Sequence, residues 1–403
     1  MRVLNLRHEP VSGGFRQSTV DLEFGDGTKE QLWFRVPEEV PAPENGNAWL
    51  ALALPLAAVL GEDLRIDLPV DAWLKLNAES LLAVWRHWYP DLAKAIQIHA
   101  DALPPELPKP GVVSSFTAGV DSFFTVLRHP ECKHYIHVLG LDMPIWKKEA
   151  HARLTARLES IAAQMGARFY RLATNLRETR WGKLPWETFA SGAALAGSHL
   201  QMESICGAGL IPSSELSPDI PWGSHPLTDS LFSTSSMRIL HDGLSHNRLE
   251  KTEFVARFPL VLENLHVCFI GQDTHGQDDR NCSRCEKCLR NMLALDAIGK
   301  LGECKTFDLS LYRVELAAQL EATTAKGRIL IGRLRELAER HGRSDIAAHL
   351  DESLRKSRIM KALKRFEQTP LLWRLPAYYR KRAFGALSRL QRLPAPPRAD
   401  LPA

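Results

Sequence analysis

Apolar and polar residues recur with two different periods along this chain, and the change of period marks its predicted elements. In the first hundred residues, two segments of alternating side chains flank Asp26-Gly27, which predicts a β-hairpin. Two further segments carry apolar residues at helical spacing. The predicted elements are strands at 19–24, 31–36 and 64–68 and helices at 49–60 and 74–88. We expect residues 1–108 to form a small α+β module that presents substrate or forms a homodimer.

Four prolines between residues 104 and 110 disfavour helix and strand, so we expect a domain boundary there. From residue 111 strands and helices alternate, which predicts an α/β domain with helices on both faces of a parallel sheet. The predicted elements are strands at 112–116, 135–141, 168–173, 210–212 and 265–270 and helices at 147–165, 190–206 and 247–258. This domain is expected to span residues 111–302, and amphipathic segments predict a helical C-terminal extension over residues 303–403.

The segment 112–127 (VVSSFTAGVDSFFTVL) joins a short apolar strand to a helix through a turn of small residues. The first N–H groups of a helix lack internal partners and the helix dipole is positive there, so this layout favours binding of an anion. Thr117 and Ser122 add hydroxyl donors. The alternative is an ordinary turn in which Asp121 or Ser122 is the N-cap. The carboxyl ends of the neighbouring strands are expected around it, at residues 140–142, 174–175 and 213–214.

Charge separates the end of the chain from the rest. The 403 residues carry a net charge of only +4, but from Lys305 onward there are 21 basic and 10 acidic residues. Residues 355–392 contain twelve Lys and Arg, one acid and several aromatic side chains. This composition suits RNA phosphates or an anionic membrane surface. The alternative is a solvated helical extension that packs against the acidic remainder of the chain.

No segment is long and apolar enough to span a bilayer. The longest apolar run, residues 49–60, is too short for that, and it lies too far from the N-terminus to be a signal peptide. The apolar share of 45% and charged share of 24% are ordinary for a globular protein. We therefore expect a cytoplasmic protein that is not an integral membrane protein.

Three of the seven cysteines lie within seven residues. In a long chain without a secretion signal, such clustering favours a metal site over disulfides. Cys268 can supply a fourth thiolate, so the predicted closed site consists of Cys268, Cys282, Cys285 and Cys288. Zinc is the favoured ion, an iron–sulfur cluster is the alternative, and a chance cluster or disulfide pair is the remaining interpretation. A closed site has no open coordination position, so we expect its role to be structural.

The segment 221–234 (PWGSHPLTDSLFST) is rich in polar and turn-forming residues, which argues against a core element. It brings several side chains of catalytic type close together along the chain. These candidates for substrate binding are Ser224, His225, Thr228 and Asp229. The alternative is a structured surface loop in which Asp229 is a cap.

Three motifs together resemble one family of enzymes. They are TAGVDS at 117–122, RLEK at 248–251, and CxxCxxCxR at 282–290 preceded by Cys268. In this combination, residues 111–302 resemble the PP-loop ATP pyrophosphatases, and in particular the 7-cyano-7-deazaguanine synthases of queuosine biosynthesis. The resemblance implies an adenine nucleotide alpha hydrolase-like fold. It also implies that ATP and Mg²⁺ bind at a phosphate loop and that the cysteines hold a structural Zn²⁺.

The resemblance implies a reaction in which a small-molecule substrate carboxylate is adenylated, pyrophosphate leaves, and a nitrogen nucleophile displaces AMP to give an amide or nitrile. It implies nucleotide-binding residues Thr117, Ala118, Gly119, Val120, Asp121 and Ser122, and catalytic residues Asp121, Ser122, Lys251 and Arg290. Gly140 and Asp142 are expected to bind the nucleotide because they follow a strand at the same edge of the sheet. The segments LGLDMPIW and PWGSHPLTD differ from the family pattern, so a different acceptor is expected.

Two other functions are compatible with the same motifs. A tRNA-modifying enzyme that transfers sulfur would use Cys206 as its catalytic cysteine and the basic tail to hold RNA. A degenerate nucleotide-binding module within a larger assembly is the other, because Ala118 stands where the family has a glycine.

Overall fold

The computed structural model describes residues 1–214, 220–268, 281–320, 322 and 324–367, and the account below concerns these residues. The strands are β1 (Arg2–His8), β2 (Phe15–Glu23), β3 (Lys29–Pro37), β4 (Leu64–Ile66), β5 (Val70–Asp71), β6 (Ile98–His99), β7 (Ala102–Leu103), β8 (Gly111–Ser115), β9 (His134–Leu139), β10 (Arg168–Thr174), β11 (Cys206–Pro212) and β12 (Arg238–Asp242). The helices are α1 (Asn47–Leu60), α2 (Ala72–Trp88), α3 (Val120–Arg128), α4 (Lys148–Gln164), α5 (Ser191–Leu200), α6 (Pro226–Asp229), α7 (Arg248–Val255), α8 (Pro259–Asn264), α9 (Glu286–Ala297), α10 (Ala325–Arg340) and α11 (Ser344–Glu367).

Ten strands form one mixed sheet in the order β12-β11-β8-β9-β10-β3-β2-β1-β4-β6. The five strands from β12 to β10 are parallel, and β3, β2 and β1 continue the sheet antiparallel. β9 (HYIHVL) is buried along nearly its whole length, as expected for a central strand covered on both faces. The predicted α/β class is therefore confirmed, with a sheet that is mostly parallel.

The expected module of residues 1–108 shares the ten-stranded sheet with the parallel strands, which differs from a separate module, although its short strands β5 and β7 pair in a two-stranded sheet of their own. β3 pairs with β10, and the N-terminal strands share one hydrophobic core with the parallel strands. Phe34 and Trp49 pack edge to face at 6.4 Å within that core. The pairing covers an edge of β10 that would otherwise expose unpaired backbone groups, which is the physical reason for the difference.

Two predicted elements differ from the structure near the middle of the chain. The helix expected over 190–206 ends at Leu200, and β11 begins at Cys206 after a turn. Gly207 and Gly209 allow β11 to pack closely here, because added Cβ atoms would meet Lys109 O at 2.2 Å and the His199 side chain at 3.0 Å. The strand expected over 265–270 is absent from residues 265–268, and residues 269–270 lie outside the described part.

The chain divides into two compact units, one of Met1–Asn291 with Lys300–Leu309 and one of Met292–Gly299 with Ser310–Ala403. In the described part of the second unit, α10 and α11 form a helical pair, as the predicted extension requires. Arg343 makes a two-pronged ion pair with Asp296, with N–O distances of 2.6 and 2.9 Å. The basic segment 355–392 lies mostly outside the described residues. No described helix is long and apolar enough to cross a membrane.

The junction between the parallel and antiparallel parts of the sheet depends on the end of β10. Only Ala173 and Thr174 are in register with β3. The Thr174 hydroxyl donates to Trp33 O at 2.7 Å. The Asn175 side chain accepts from Trp33 N at 2.9 Å and donates to Gln31 O at 2.8 Å. Thr174 and Asn175, expected beside the ligand, therefore join the sheet instead.

Replacing Asn175 with Ala should destabilise the protein, because it removes two hydrogen bonds and leaves backbone groups of Trp33 and Gln31 without these partners. We expect a loss of about 1–3 kcal/mol in the free energy of unfolding, measured by urea denaturation. Gln164→Ala, on the exposed side of α4, is the control and should change stability by less than about 0.5 kcal/mol. Equal stabilities of the two variants would contradict this account of the junction.

Candidate functional site

A cleft of about 770 Å³ opens beyond the carboxyl ends of β8, β9 and β11. This is where ligands bind in open α/β sheets. Its wall includes four of the residues predicted for the phosphate loop and two that follow β9: Thr117, Gly119, Asp121, Ser122, Gly140 and Asp142. The sequence-predicted loop and the end of β9 are therefore brought together in one cavity.

The Ser122 hydroxyl holds the loop that precedes α3. Its Oγ accepts from Gly119 N at 3.1 Å and donates to Gly119 O at 3.1 Å, and Thr117 N approaches it at 3.3 Å. Ala118 has a left-handed φ of 55°, which is unusual for a residue with a side chain. Ala118 and Val120 are buried and are not among the residues that line the cleft, in contrast to the expectation that they bind the nucleotide.

Asp121 lies between two cations. Its Oδ2 pairs with Arg248 Nη1 at 2.6 Å, and its Oδ1 is 3.7 Å from Lys251 Nζ. Lys251 is 1% exposed and donates to the carbonyl and hydroxyl of Ser213 at 2.8 and 2.6 Å. Lys251 thus supports the cleft from behind, since it does not line it.

The two cations on the cleft wall beside the loop are Arg248 and Lys287. Sequence reasoning quoted the motifs that contain them but assigned the role to Lys251 and Arg290. Arg290 pairs with Glu286 at 3.3 Å along α9 and is not among the residues that line the cleft. Arg248 precedes Lys251 by three residues, and Lys287 precedes Arg290 by the same number. Each is therefore within one helical turn of the predicted residue, but on the side of the helix that faces the cavity.

Aromatic and acidic side chains line the other end of the cleft. Trp146 is 64% exposed there, and the Arg177 guanidinium lies 4.8 Å from the centre of the Trp186 ring. Asp142 lines the cleft, and the protein around its carboxyl group displaces part of the water that would otherwise hydrate it. This desolvation raises the pKa of its carboxyl, although Lys287, Arg177 and a hydrogen bond from Trp186 act in the opposite direction. Sequence reasoning did not identify either tryptophan or Arg177 as part of a site.

Gly140 is required by this geometry. Its φ is +95°, and an added Cβ would lie 1.9 Å from the carbonyl oxygen of Thr174. Its N–H donates to Met143 O at 2.8 Å, which closes the turn that carries Asp142 into the cleft. The glycine at this position therefore places the Asp142 carboxylate.

The four residues predicted for substrate binding in the segment 221–234 lie outside the cleft wall. Asp229 is fully buried and accepts from Ser224 Oγ at 2.7 Å, from His225 N at 3.0 Å and from His241 Nδ1 at 2.8 Å. Thr228 is also buried, and its hydroxyl donates to His225 O at 3.3 Å. The segment is folded around the Asp229 carboxylate, so a network of this kind stabilises structure rather than presenting groups to a ligand.

The four cysteines predicted as metal ligands come together. Their sulfur atoms all lie within 4.8 Å of one another, with Cys268–Cys285 at 3.8 Å and Cys282–Cys288 at 3.9 Å. A tetrahedron with metal–sulfur bonds of about 2.3 Å has edges of about 3.8 Å, so the arrangement fits a four-coordinate ion. The sulfur of Cys282 also accepts from Cys285 N at 3.3 Å.

Asn281 joins the two arms of this cysteine site. Its side chain accepts from Val267 N at 2.8 Å and from Cys268 N at 3.2 Å, and it donates to Leu265 O at 2.8 Å. Between Leu265 and Val267, the backbone N–H of His266 donates to Ala118 O at 2.8 Å. The cysteine site and the phosphate loop are thus connected through the segment 265–268.

Comparisons with protein-family models, with curated proteins and with solved structures each found no match. The family resemblance rests on the motifs alone.

The end of α3 carries a histidine whose charge should depend on pH. Both His129 nitrogens lie near carboxylates, Nε2 at 2.9 Å from Asp242 and Nδ1 at 2.8 Å from Glu131. Partial burial disfavours the charged ring, but these hydrogen bonds outweigh it and raise the pKa of His129. A charged histidine at a helix C-terminus is also favoured by the dipole.

Replacing His129 with Gln should therefore cost most stability below the unfolded-state pKa and least above the raised folded-state pKa. We expect a loss of about 0.5–1 kcal/mol near pH 6 that shrinks by pH 9 in urea denaturation. His87→Gln, exposed on α2, is the control. A destabilisation that stays constant or grows as the pH rises would contradict the assignment.

Replacing Cys288 with Ser should remove a thiolate from the predicted metal site. We expect the metal content, measured by elemental analysis, to fall from one ion per chain to a small fraction, with a lower unfolding temperature. Cys132→Ala changes a buried thiol outside the four and should keep the metal. Iron together with visible absorption would show that the site holds an iron–sulfur cluster and not zinc. If the wild-type protein contained no metal, the prediction of a metal site would be wrong.

Proposed function

We propose that this protein is an ATP-dependent, AMP-forming enzyme of the PP-loop ATP pyrophosphatase type. It adenylates a substrate carboxylate with release of pyrophosphate, and a nitrogen nucleophile then displaces AMP to give an amide or nitrile. The observation that carries the proposal is the juxtaposition of the TAGVDS loop, the N-terminus of α3 and two cations in one cleft beside a four-cysteine site. As part of this proposal, the parallel part of the sheet and its helices would have the adenine nucleotide alpha hydrolase-like fold.

The charge distribution supports phosphate binding at the loop. Gly119, Asp121 and Ser122 at the start of α3 line the cleft together with Thr117, so a helix N-terminus and two hydroxyl-bearing residues lie on its wall. Arg248 and Lys287 add two positive charges. Burial lowers the pKa of Lys287, and neighbouring carboxylates partly offset this. Preorganised donors of this kind stabilise the charge that develops on a transferring phosphoryl group.

Two cofactors complete the proposal. Mg²⁺ would accompany the ATP phosphates, and Asp121 offers the nearest carboxylate on the loop. Zn²⁺ would occupy the four-cysteine site and fix the segment 265–268 against the loop. Since all four positions of a tetrahedral ion would be taken by sulfur, its contribution would be structural.

The thiolating alternative has less support. Cys206 begins β11 and is paired with Gly111 at the start of β8, so it lies at the opposite end of the strands from the cleft. Burial also raises the pKa of its thiol to about 12, which disfavours a nucleophilic thiolate. RNA or anionic-surface binding through the basic tail stays a prediction, because residues 368–403 lie outside the described part. Cytoplasmic localisation and a homodimer also stay predictions.

The degenerate-module alternative rests on Ala118. Its left-handed backbone costs about 1–3 kcal/mol relative to a relaxed conformation, and a glycine would remove that strain. The Ala118 methyl group is buried and does not line the cleft, so it leaves the cavity open to a phosphate. A degenerate module would bind ATP without releasing pyrophosphate, so a pyrophosphate assay distinguishes it from the enzyme, whereas ATP binding alone does not.

Asp121→Ala should abolish pyrophosphate release, because it removes the carboxylate that lies between the phosphate loop and Arg248. We expect calorimetric titration with ATP and Mg²⁺ to give binding that this change weakens at least tenfold. A coupled pyrophosphate assay with a panel of carboxylic acids should show activity for the wild type only. Asp91→Ala, at an exposed position outside the cleft, is the control. ATP binding that is unaffected by both Asp121→Ala and Ser122→Ala would overturn the proposal.

A further inference from the structure

The part of the cleft away from the phosphate loop has a chemical character of its own. Three carboxylates, Asp142, Glu178 and Glu187, line it together with Trp146 and Trp186. Two positive side chains on the same wall, Arg177 and Lys287, act on Asp142. The three carboxylates therefore outnumber the cations in this part of the cavity.

Trp146 offers an uncovered aromatic surface. It is 64% exposed, whereas most tryptophans of the described core, such as Trp49, Trp85 and Trp181, are 2% exposed or less. An indole surface of this size is costly to leave in water, since burial of its apolar area is favourable. Its position on the wall of the cavity, rather than on an outer surface, indicates a surface for a ligand.

Trp186 already binds a cation of the protein itself. The Arg177 guanidinium lies over its ring at 4.8 Å, and the Arg177 Nη1 donates to Leu141 O at 3.0 Å. Arg177 still lies close enough to Asp142 to favour its charged form, so it offsets only part of the negative charge of the three carboxylates. The contact also shows that the ring faces at this end of the cleft are placed to attract positive charge.

The Asp142 carboxylate offers hydrogen-bond acceptor positions to a ligand in the cleft. The turn fixed by Gly140 carries its carboxylate into the cavity, where the Trp186 indole N–H donates to it. One donor leaves several acceptor positions on a carboxylate unused. An anionic or neutral apolar ligand would leave these positions desolvated without a donor, whereas an ammonium group would fill them.

From these observations we infer that this end of the cleft binds an organic ammonium compound, a primary amine with an attached hydrocarbon group. Trp146 would cover the hydrocarbon, and Asp142, with Glu187 beside it, would accept from the ammonium group. The inference rests on the proposed function, in which this amine is the nitrogen nucleophile.

In the proposed reaction the ammonium group first loses a proton to the Asp142 carboxylate. The neutral amine nitrogen then forms a bond with the acyl carbon of the adenylate. The bond from that carbon to the phosphate oxygen of AMP breaks, and the electron pair leaves with AMP. The nitrogen loses its second proton to solvent, which leaves an amide.

Calorimetric titration of the whole chain with phenethylamine, butylamine, ammonium chloride and butyrate tests the subsite without ATP. We expect both amines to bind, phenethylamine more tightly, with butyrate and ammonium at least tenfold weaker. Trp146→Ala should weaken amine binding roughly 5- to 30-fold, and Asp142→Asn should do the same while keeping the shape of the side chain. Equal affinity for butyrate and butylamine would overturn the inference.

Two control variants match these changes in side chain and exposure. Trp73→Ala removes a tryptophan of α2 that is 57% exposed outside the cleft, and Glu79→Gln neutralises an exposed acid of the same helix. Neither should alter amine binding, and an equal loss in Trp73→Ala and Trp146→Ala would overturn the inference.

A separate ATP titration distinguishes the two proposals. ATP binding without amine binding removes only this inference, and amine binding without ATP binding removes only the proposed function.

Discussion

The backbone hydrogen bond from His266 N to Ala118 O, at 2.8 Å, connects the two most distinctive parts of the structure. On one side is the loop that Ser122 holds closed, and on the other is the segment that Asn281 ties to the cysteine site. The left-handed Ala118 is tolerated because this carbonyl contact and the packing of its methyl group determine its conformation. An ion held by the four cysteines would therefore stabilise the loop at a distance, through three consecutive residues.

The same loop is also held from the sheet side, and here a buried charge is involved. Lys251 is bound to Ser213 at the end of β11 and lies 3.7 Å from Asp121 at the start of α3. Removing one member of such a buried set usually costs about 3–5 kcal/mol, because the remaining groups lose their partner. Lys251 therefore explains why the ends of β8 and β11 stay together around the cleft, a task distinct from contact with a ligand.

Local sequence predicts the parts of this protein that depend on short-range rules. The strand–turn–helix of TAGVDS, the hairpin at Asp26-Gly27 and the cysteine spacing are set by neighbours along the chain, and the structure contains all three. The pairing of β3 with β10 could not be read in this way, because it depends on which edges find a partner in three dimensions. The same limit applies to Asp229, whose type suggests a site but whose partners come from three different positions and bury it.

Burial also explains why the motifs do not identify which cations line the cleft. Lys251 and Arg248 are three positions apart on α7, so the motif identifies both, but only the packing of that helix decides which one reaches the cavity. The aromatic part of the cleft carries no motif at all, since Trp146 lies on a loop and Trp186, forty residues later, begins a short π-helical turn. Carboxylates outnumber cations there, whereas Arg248 and Lys287 lie beside the loop. The proposed function, in which a nitrogen nucleophile meets an adenylate, accounts for both characters in a single cavity.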